Sequence, residues 1–383
     1  CGFVMNFSNA YKNKRILVTG HTGFKGSWMT EWLLLLGAKV IGYSLEEPPT
    51  EPSHFNAIQL GEHLTDDVRG DIRSIDALRE TIARHKPDFI FHLAAQPLVR
   101  QSFDEPHYTY EANVMGSLNV LEAVRRENCS CIVVMITTDK VYDNVEWEYA
   151  YRENDPLGGY DPYSASKACA EIVISSYQRS FFNSHQKSPG EPGIAVASVR
   201  GGNVIGGGDW AKDRIVPDSM KNLASNTKIP VRNRRATRPW QHVLELLSGY
   251  LHLGSEISRA RTQQNAERLQ ALCSPFNFGP HITSNKTVEA LVQEILKHWP
   301  GEWEDFTDPG ATHEAGRLNL TIDKAFHTLN WQPRWNFEET IKHTVDWYRQ
   351  YYKAIQPEPA FLRGLTQQQI LLYSEGLNYH SSN

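Results

Sequence analysis

Along the first half of the chain, short apolar runs alternate with segments of helical period. "RILVTG" reads as a strand, and Met29, Trp32, Leu33 and Leu36 then recur three and four residues apart, the spacing of one helix face. "AKVIGYS" is the next strand, "DFIFHLAA" follows a polar helix, and "CIVVMITTD" and "IAVASVRGG" complete the series. Strands that are apolar throughout, separated by helices, predict a parallel sheet covered on both faces: a doubly wound α/β domain of Rossmann type. In such a sheet ligands gather at the carboxyl ends of the strands. Past residue 204 the pattern changes to clustered glycines ("GGNVIGGGDW"), a basic stretch ("VRNRRATRPW"), a long polar helix and a tail rich in Trp and Pro. The expected organisation is a dinucleotide-binding domain over 1–204 with a returning segment near 234–262. A smaller substrate-binding lobe takes 205–233 and 263–360, and 361–383 form a C-terminal tail.

Composition narrows the function classes. A net charge of −5 over 383 residues lacks the basic excess of a nucleic-acid binder. No run approaches the ~20 apolar residues of a membrane span, and the opening "CGFVMNFSNAYKNK" is too short and polar for a secretory signal. The five scattered cysteines read as reduced thiols of a cytoplasmic protein. The 15 histidines show no paired spacing of a metal centre, so no metal is expected.

The chemistry lies at the strand ends. "VTGHTGFKG" sets Gly20, Gly23 and Gly26 between the first strand and the first helix. There one glycine makes the tight turn, one admits a pyrophosphate to the backbone and one allows close helix packing. Thr22 and Phe24 share that turn. At the second strand end Ser44 stands where an acid for a ribose hydroxyl would be expected, and no arginine waits for a 2′-phosphate, which leaves NAD favoured. Asp71 and Ile72 of "GDIR" are placed for the adenine, or form a plain turn. In "YDPYSASKA", Asp161 caps a helix and Pro162 opens it, so Tyr163 and Lys167 share one face at i, i+4. A phenol of pKa about 10 is a poor base, and a neighbouring ammonium favours its ionised form.

"TGHTGFKG", "HLAAQ", Asn113 in "NVMGSLNVLEA", "TTDKVY" and "YSASK" together resemble the extended short-chain dehydrogenase/reductases that act on nucleotide sugars, over roughly residues 14–280. The strand end "TD" plus one polar residue is similar to the sugar-nucleotide 4,6-dehydratases, and "GYSLEEPPTEPSHF", "RGGNVIGGGDW" and "RPWQHV" to the branch acting on CDP-glucose. That resemblance implies oxidation at C4, loss of water across C5–C6 and return of hydride to C6. It assigns Tyr163 and Thr138 to the O4 proton, Lys167 to the support of Tyr163, and Asp139 to the C6 hydroxyl. Leu93, Ala94, Ala95 and Gln96 are assigned to the cofactor.

Lys140 stands where relatives carry glutamate. It is a base at C5, a charge that stabilises the enolate, or a salt-bridge partner of a loop carboxylate. The resemblance further implies that Arg238 and Asn203 face the diphosphate, with Gln96, Ser102 and Arg214 lining the substrate site and Arg232 and Arg100 as weaker candidates. Trp210 and Trp240 either stack on the base or pack. Asn113 is expected to kink its helix and hydrogen-bond near the site. A homodimer or homotetramer is expected through the Tyr163 and Asn113 helices. The competing functions are C4 epimerisation, which has no use for an acid–base pair at C5 and C6, and non-catalytic NAD sensing, for which the Tyr163–Lys167 pair is superfluous.

Overall fold

The computed structural model describes residues 7, 9–182, 193–306, 318–353 and 357–375. Eleven strands lie in it: β1 (Arg15–Thr19), β2 (Lys39–Ser44), β3 (Asp66–Arg69), β4 (Phe89–His92), β5 (Ile132–Ile136), β6 (Ala195–Gly201), β7 (Ile229–Val231), β8 (Thr237–Pro239), β9 (Phe276–Phe278), β10 (Asn285–Thr287) and β11 (Trp303–Asp305). Seven form one parallel sheet in the order β3-β2-β1-β4-β5-β6-β9. The first six follow the doubly wound order with its crossover between β1 and β4. β9 extends the sheet beside β6.

The strands are apolar throughout because both faces are covered. Ile16, Val18, Phe89, Phe91, Val134 and Ala197 point to one face, where they meet Trp28, Trp32 and the helix Val243–Thr262. Leu17, Ile90, Val133 and Val196 point to the other, against Leu78, Ile82, Val120 and Val124. Their alternation is the period-two pleat of a strand. β3 escapes the hydrophobic pattern because it is a polar edge strand, half-exposed along its length.

The expected division of the chain shifts at two places. The return to the main domain runs beyond 262: the helix Ala266–Leu272 packs on Val243–Thr262, and β9 enters the main sheet. The smaller lobe is built from the helix Ile215–Ala224, the pairs β7–β11 and β8–β10, and the helices Val288–His298 and Phe337–Lys353. The stretch read as a tail contains the helix Pro359–Ser374, which packs on the first helix, Phe24–Leu35; residues 376–383 lie outside the described residues.

This helix pair explains a polar residue inside the first helix. Glu31 is fully buried and receives hydrogen bonds from Arg363 Nε (2.9 Å) and Gln367 Nε2 (2.7 Å). His54 is buried next to it, bridging Ser27 and Thr366 at 2.8 and 3.0 Å. Removing one partner of a buried pair leaves the other charge uncompensated, at a cost of about 3–5 kcal/mol. Because Gln367 remains, Arg363→Ala is expected to lower unfolding stability by about 2–3 kcal/mol. Urea unfolding reads this directly, and a loss below about 0.5 kcal/mol would contradict the docked helix.

Candidate functional site

The glycine turn is dictated by close approach. Gly20 has φ +76°, in the left-handed region, and a Cβ there would lie 2.7 Å from the Ala94 nitrogen. A Cβ on Gly26 would lie 2.0 Å from the Gly20 carbonyl oxygen, so the helix can sit on the strand end only with glycine. Gly23 differs: its Cβ would meet nothing nearer than 3.4 Å, and no side chain caps the helix that starts at Phe24. The helix end is thus left open for a phosphate, and these residues fit the diphosphate of a dinucleotide.

At the end of β2, buried Ser44 lies within hydrogen-bonding distance of the Thr22 amide (3.4 Å) and of His21 Nδ1 (2.9 Å), whose Nε2 meets Asp67 at 2.8 Å. The expectation of no arginine here needs correction. β3 sets Arg69 beside Ser44, although its guanidinium is occupied by Asp67 (2.6 Å) and by the Leu45 and Glu46 carbonyls. Asp71 is likewise engaged by Arg73 at 2.7 Å, which holds its carboxyl below the usual range against the opposing effect of burial. Ile72 is buried against Gly116.

Leu93, Ala94 and Ala95 carry β4 past the glycine turn, with the Leu93 amide on the Thr19 carbonyl and the Ala94 amide on the Thr19 hydroxyl. Gln96 is buried and tied down: its Nε2 donates to Thr109, and its amide donates to Asn113 Oδ1 at 2.8 Å. Asn113 sits in a π-helical turn, Glu111–Met115, and donates to the Gln96 carbonyl and to Ser166, which donates to the Tyr163 carbonyl. The turn and these bonds give Asn113 the kinking and bridging role expected of it.

At the end of β5, Thr138 caps a short 3-10 turn, Asp139–Val141, and its hydroxyl bonds Asp139 Oδ1 at 3.0 Å. The Thr138 hydroxyl also acts on Tyr163, favouring the ionised phenol. Asp161 caps the Pro162–Ser180 helix by accepting from the Ser164 amide at 2.9 Å. Tyr163, Lys167 and Asp139 are all buried. Burial pushes the Tyr163 phenol up to about 12 against the effect of Thr138, and pushes the Asp139 carboxyl up against the pull of Lys140, Thr138 and Lys25. Burial and the charge of Lys25 bring Lys167 down to about 7, opposed by Glu171. Lys140 is half-buried, and among the described residues no carboxylate lies within 4.0 Å of its ammonium.

Other expected residues fall around this centre. Arg214 pairs with Asp209 at 2.9 Å and acts electrostatically on Tyr163 and Lys25. Arg238 is on β8 and donates to the Thr237 carbonyl, and Asn203 is exposed just past β6. The Ser102 hydroxyl is buried and bonded to the Val99 carbonyl of its own helix. Arg100 and Arg232 share Asp213, at 3.2 and 2.9 Å. Both tryptophans are packed, Trp210 among Trp347, Tyr348 and Tyr351, and Trp240 by its indole N–H on the Lys286 carbonyl. Among the described residues no cluster of metal-ligating side chains occurs, and no helix is long and apolar enough to cross a membrane.

Sequence reasoning missed three groups. Lys25, in the first turn of the first helix, is brought down to about 8 by burial and Arg214, against Asp139; its signal was a lysine between apolar residues of the glycine turn. Glu171, four residues past Lys167 on the same face, accepts from Thr137 (2.6 Å), Ser198 (2.9 Å) and Arg200 (2.8 Å) in a fully buried cluster. Gln241 lines a cleft between the lobes together with Asp139, Gly202, Pro239, Pro280 and Asn285.

The chain is 45% identical over 351 residues to CDP-glucose 4,6-dehydratase of Salmonella typhimurium, covering 90% of this chain and 93% of that protein. It is 27% identical over 299 residues to dTDP-glucose 4,6-dehydratase of Streptomyces antibioticus, covering 76% and 80%. Among solved structures, dTDP-glucose 4,6-dehydratase from Streptomyces venezuelae with NAD and DAU bound matches with a TM-score of 0.71 at 24% identity, over 88% of this chain and 97% of that one. That likeness shows the fold. Residues 17–344 match the family model described as GDP-mannose 4,6 dehydratase, and the chain belongs to that family of extended short-chain dehydrogenase/reductases.

Proposed function

We propose that the chain dehydrates CDP-glucose to CDP-4-keto-6-deoxyglucose, as a lyase of deoxysugar biosynthesis with NAD as its recycled cofactor. The observation that carries this reading is the buried acid Asp139 beside Tyr163 at the end of one strand, in a chain 45% identical to a CDP-glucose 4,6-dehydratase. An epimerase needs the phenol but has no task for the acid. The Gly20–Gly26 turn, Ser44 and the Leu93–Gln96 segment would hold NAD, which when bound takes hydride from C4 and gives it back at C6.

The chain's own residues do the proton work. Tyr163, assisted by Thr138, accepts the O4 proton. Its phenol is raised by burial, so ionisation depends on positive charge nearby; Arg214 acts on it electrostatically, and Lys167, one helical turn on, is assigned to its support. A carboxyl raised by burial retains its proton more readily, which suits Asp139 to protonate the departing C6 hydroxyl. Lys140 takes the C5 proton in place of a carboxylate. Arg238, Asn203 and Arg214 serve the diphosphate.

Exposed Phe103, Met115, Ile172 and Phe181 lie on the helices around Asn113 and Tyr163, and they support pairing with a second copy. The free thiols at 129, 131, 169 and 273 support a cytoplasmic location.

Mass spectrometry of CDP-glucose deuterated at C4, with substoichiometric NAD, tests the activity. A product lighter by one water with deuterium at C6 is expected; product of unchanged mass would mean epimerisation. For Lys140, replacement by Met is expected to lower dehydration on the order of 100-fold or more. Lys140→Arg should be equally impaired if the residue is the base, and near wild-type activity in that variant would assign Lys140 to charge stabilisation instead. Sedimentation should show a species of at least twice 43.6 kDa, and a monomer at micromolar concentration would remove the pairing surface.

A further inference from the structure

The cleft between the lobes contains a polar group with no task in the fold. Gln241 follows β8 and is 1% exposed, yet neither its Oε1 nor its Nε2 has a hydrogen-bond partner. Among the described residues it is the one side chain with both polar atoms buried and unpaired. Each unmade bond of a buried amide costs about 1–3 kcal/mol, so a native structure keeps such a group where something else satisfies it.

Its surroundings indicate what that is. Gln241 and Asp139 line the same cleft, and Gly202 leaves the space between them open. A Cβ on Gly202 would lie 2.8 Å from Asp139 Oδ2 and 3.9 Å from Gln241 Nε2, so carboxyl and carboxamide approach a common point. The backbone at 202 is not left-handed, so glycine here serves space and not conformation. The rest of the cleft wall offers Pro239, Pro280, Leu318 and Leu320 together with the polar His281, Asn285 and Asn319; of the polar lining groups, Gln241 is the one whose atoms are both buried and unpaired.

We propose that Gln241 binds the C6 hydroxyl of the sugar and holds it against Asp139 for departure. This rests on the dehydratase reading. In the elimination the C5–H bond breaks with its proton passing to Lys140, and the C5–H electron pair forms the C5=C6 bond. The C6–O bond breaks, and Asp139 supplies the proton that completes water. Gln241 forms and breaks no covalent bond. Its Nε2–H donates to the C6 oxygen as the carbon–oxygen bond lengthens, while Oε1 accepts from the hydroxyl before departure. A donor aimed at developing negative charge in a water-excluded site is worth about 100- to 1000-fold in rate.

The test compares two substrates in wild type, Gln241→Met and Gln241→Glu. CDP-glucose reports dehydration, and CDP-6-deoxyglucose, which lacks the C6 hydroxyl, reports C4 oxidation alone through NADH absorbance in a single turnover. Gln241→Met is expected to lower dehydration about 30-fold or more, and to lower analogue oxidation at least tenfold less than that. Its melting temperature should equal or exceed that of wild type, because an unpaired buried amide has been replaced by an apolar group of similar shape. Gln241→Glu keeps an acceptor without the amide donor and should be as impaired as Gln241→Met in dehydration. Equal losses on both substrates, or a lowered melting temperature in Gln241→Met, would give Gln241 a general or structural role and overturn the proposal. Dehydration within threefold of wild type in either variant would overturn it as well. No product from wild type would remove the dehydratase reading, and this inference with it. A wild type active on CDP-glucose separates the two failures.

Discussion

The buried Glu171 carboxylate ties the catalytic strand ends together. It accepts from Thr137 at the end of β5, from Ser198 and Arg200 on β6, and it rides on the helix that carries Tyr163 and Lys167. Arg200 passes the restraint outward to the Tyr142 hydroxyl and the Glu153 carbonyl, and Tyr142 continues to Asn277 on β9. Two strands, one helix, the loop after β5 and the edge of the sheet are therefore fixed by one ion pair that solvent does not reach. Replacing such a pair with apolar groups would often be neutral or favourable for stability. Its consequence here is positional: Thr138, Asp139 and Tyr163 come from different elements, and the pair sets the helix at a definite height against the strand.

That pair also shapes the local electrostatics. Glu171 is the negative charge that opposes the desolvation of Lys167, one helical turn away. Lys25 pushes the other way, and Lys25 is itself pushed down by Arg214 and up by Asp139. Lys25, Lys167 and Arg214 are thus electrostatically linked, with Asp139 acting on Lys25, Glu171 on Lys167 and Asp209 on Arg214. Self-repulsion of this kind costs stability in the free protein and favours ligands that carry phosphates. It is the charge distribution expected where two diphosphates must meet, and the open N-terminus of the first helix adds to it.

How much of this was legible depends on whether the signal was periodic. β1, β2, β4, β5 and β6 were read directly because burial on both faces makes a strand apolar from end to end. β3 was missed because "DDVR" is polar and lies at an edge, and β9 because three residues carry too little pattern to separate a strand of the main sheet from a loop of the smaller lobe. In the site, motifs with fixed spacing were legible: the glycine turn, the Tyr163–Lys167 pair and the "TTDK" strand end. Groups whose role comes from tertiary contact were not. Arg69 reaches Ser44 only through the β2–β3 pairing. The bond of the Ser102 hydroxyl to the Val99 carbonyl of its own helix likewise follows from the fold and not from a motif. Gln241 was hidden within "RPWQHV", where Arg238 drew attention as the charged residue; that its amide is unsatisfied is visible only once the neighbours are in place.

The lysine after the strand-end acid has a physical rationale in this setting. A second carboxylate beside Asp139 would raise the energy of ionising either one, since like charges close together disfavour a doubly charged state. An ammonium in its place has the opposite effect, and Lys140 does draw the Asp139 carboxyl down against burial. The Asp139 carboxyl is thus raised by desolvation and drawn back in part by Lys140, Thr138 and Lys25. A glutamate at 140 would need burial and repulsion to be offset by some other positive charge. In this chain Lys25 already stands within range of Asp139 from the glycine turn. The same pocket therefore carries its compensation from both sides of the strand end, and the acid and the cofactor cradle share one electrostatic balance.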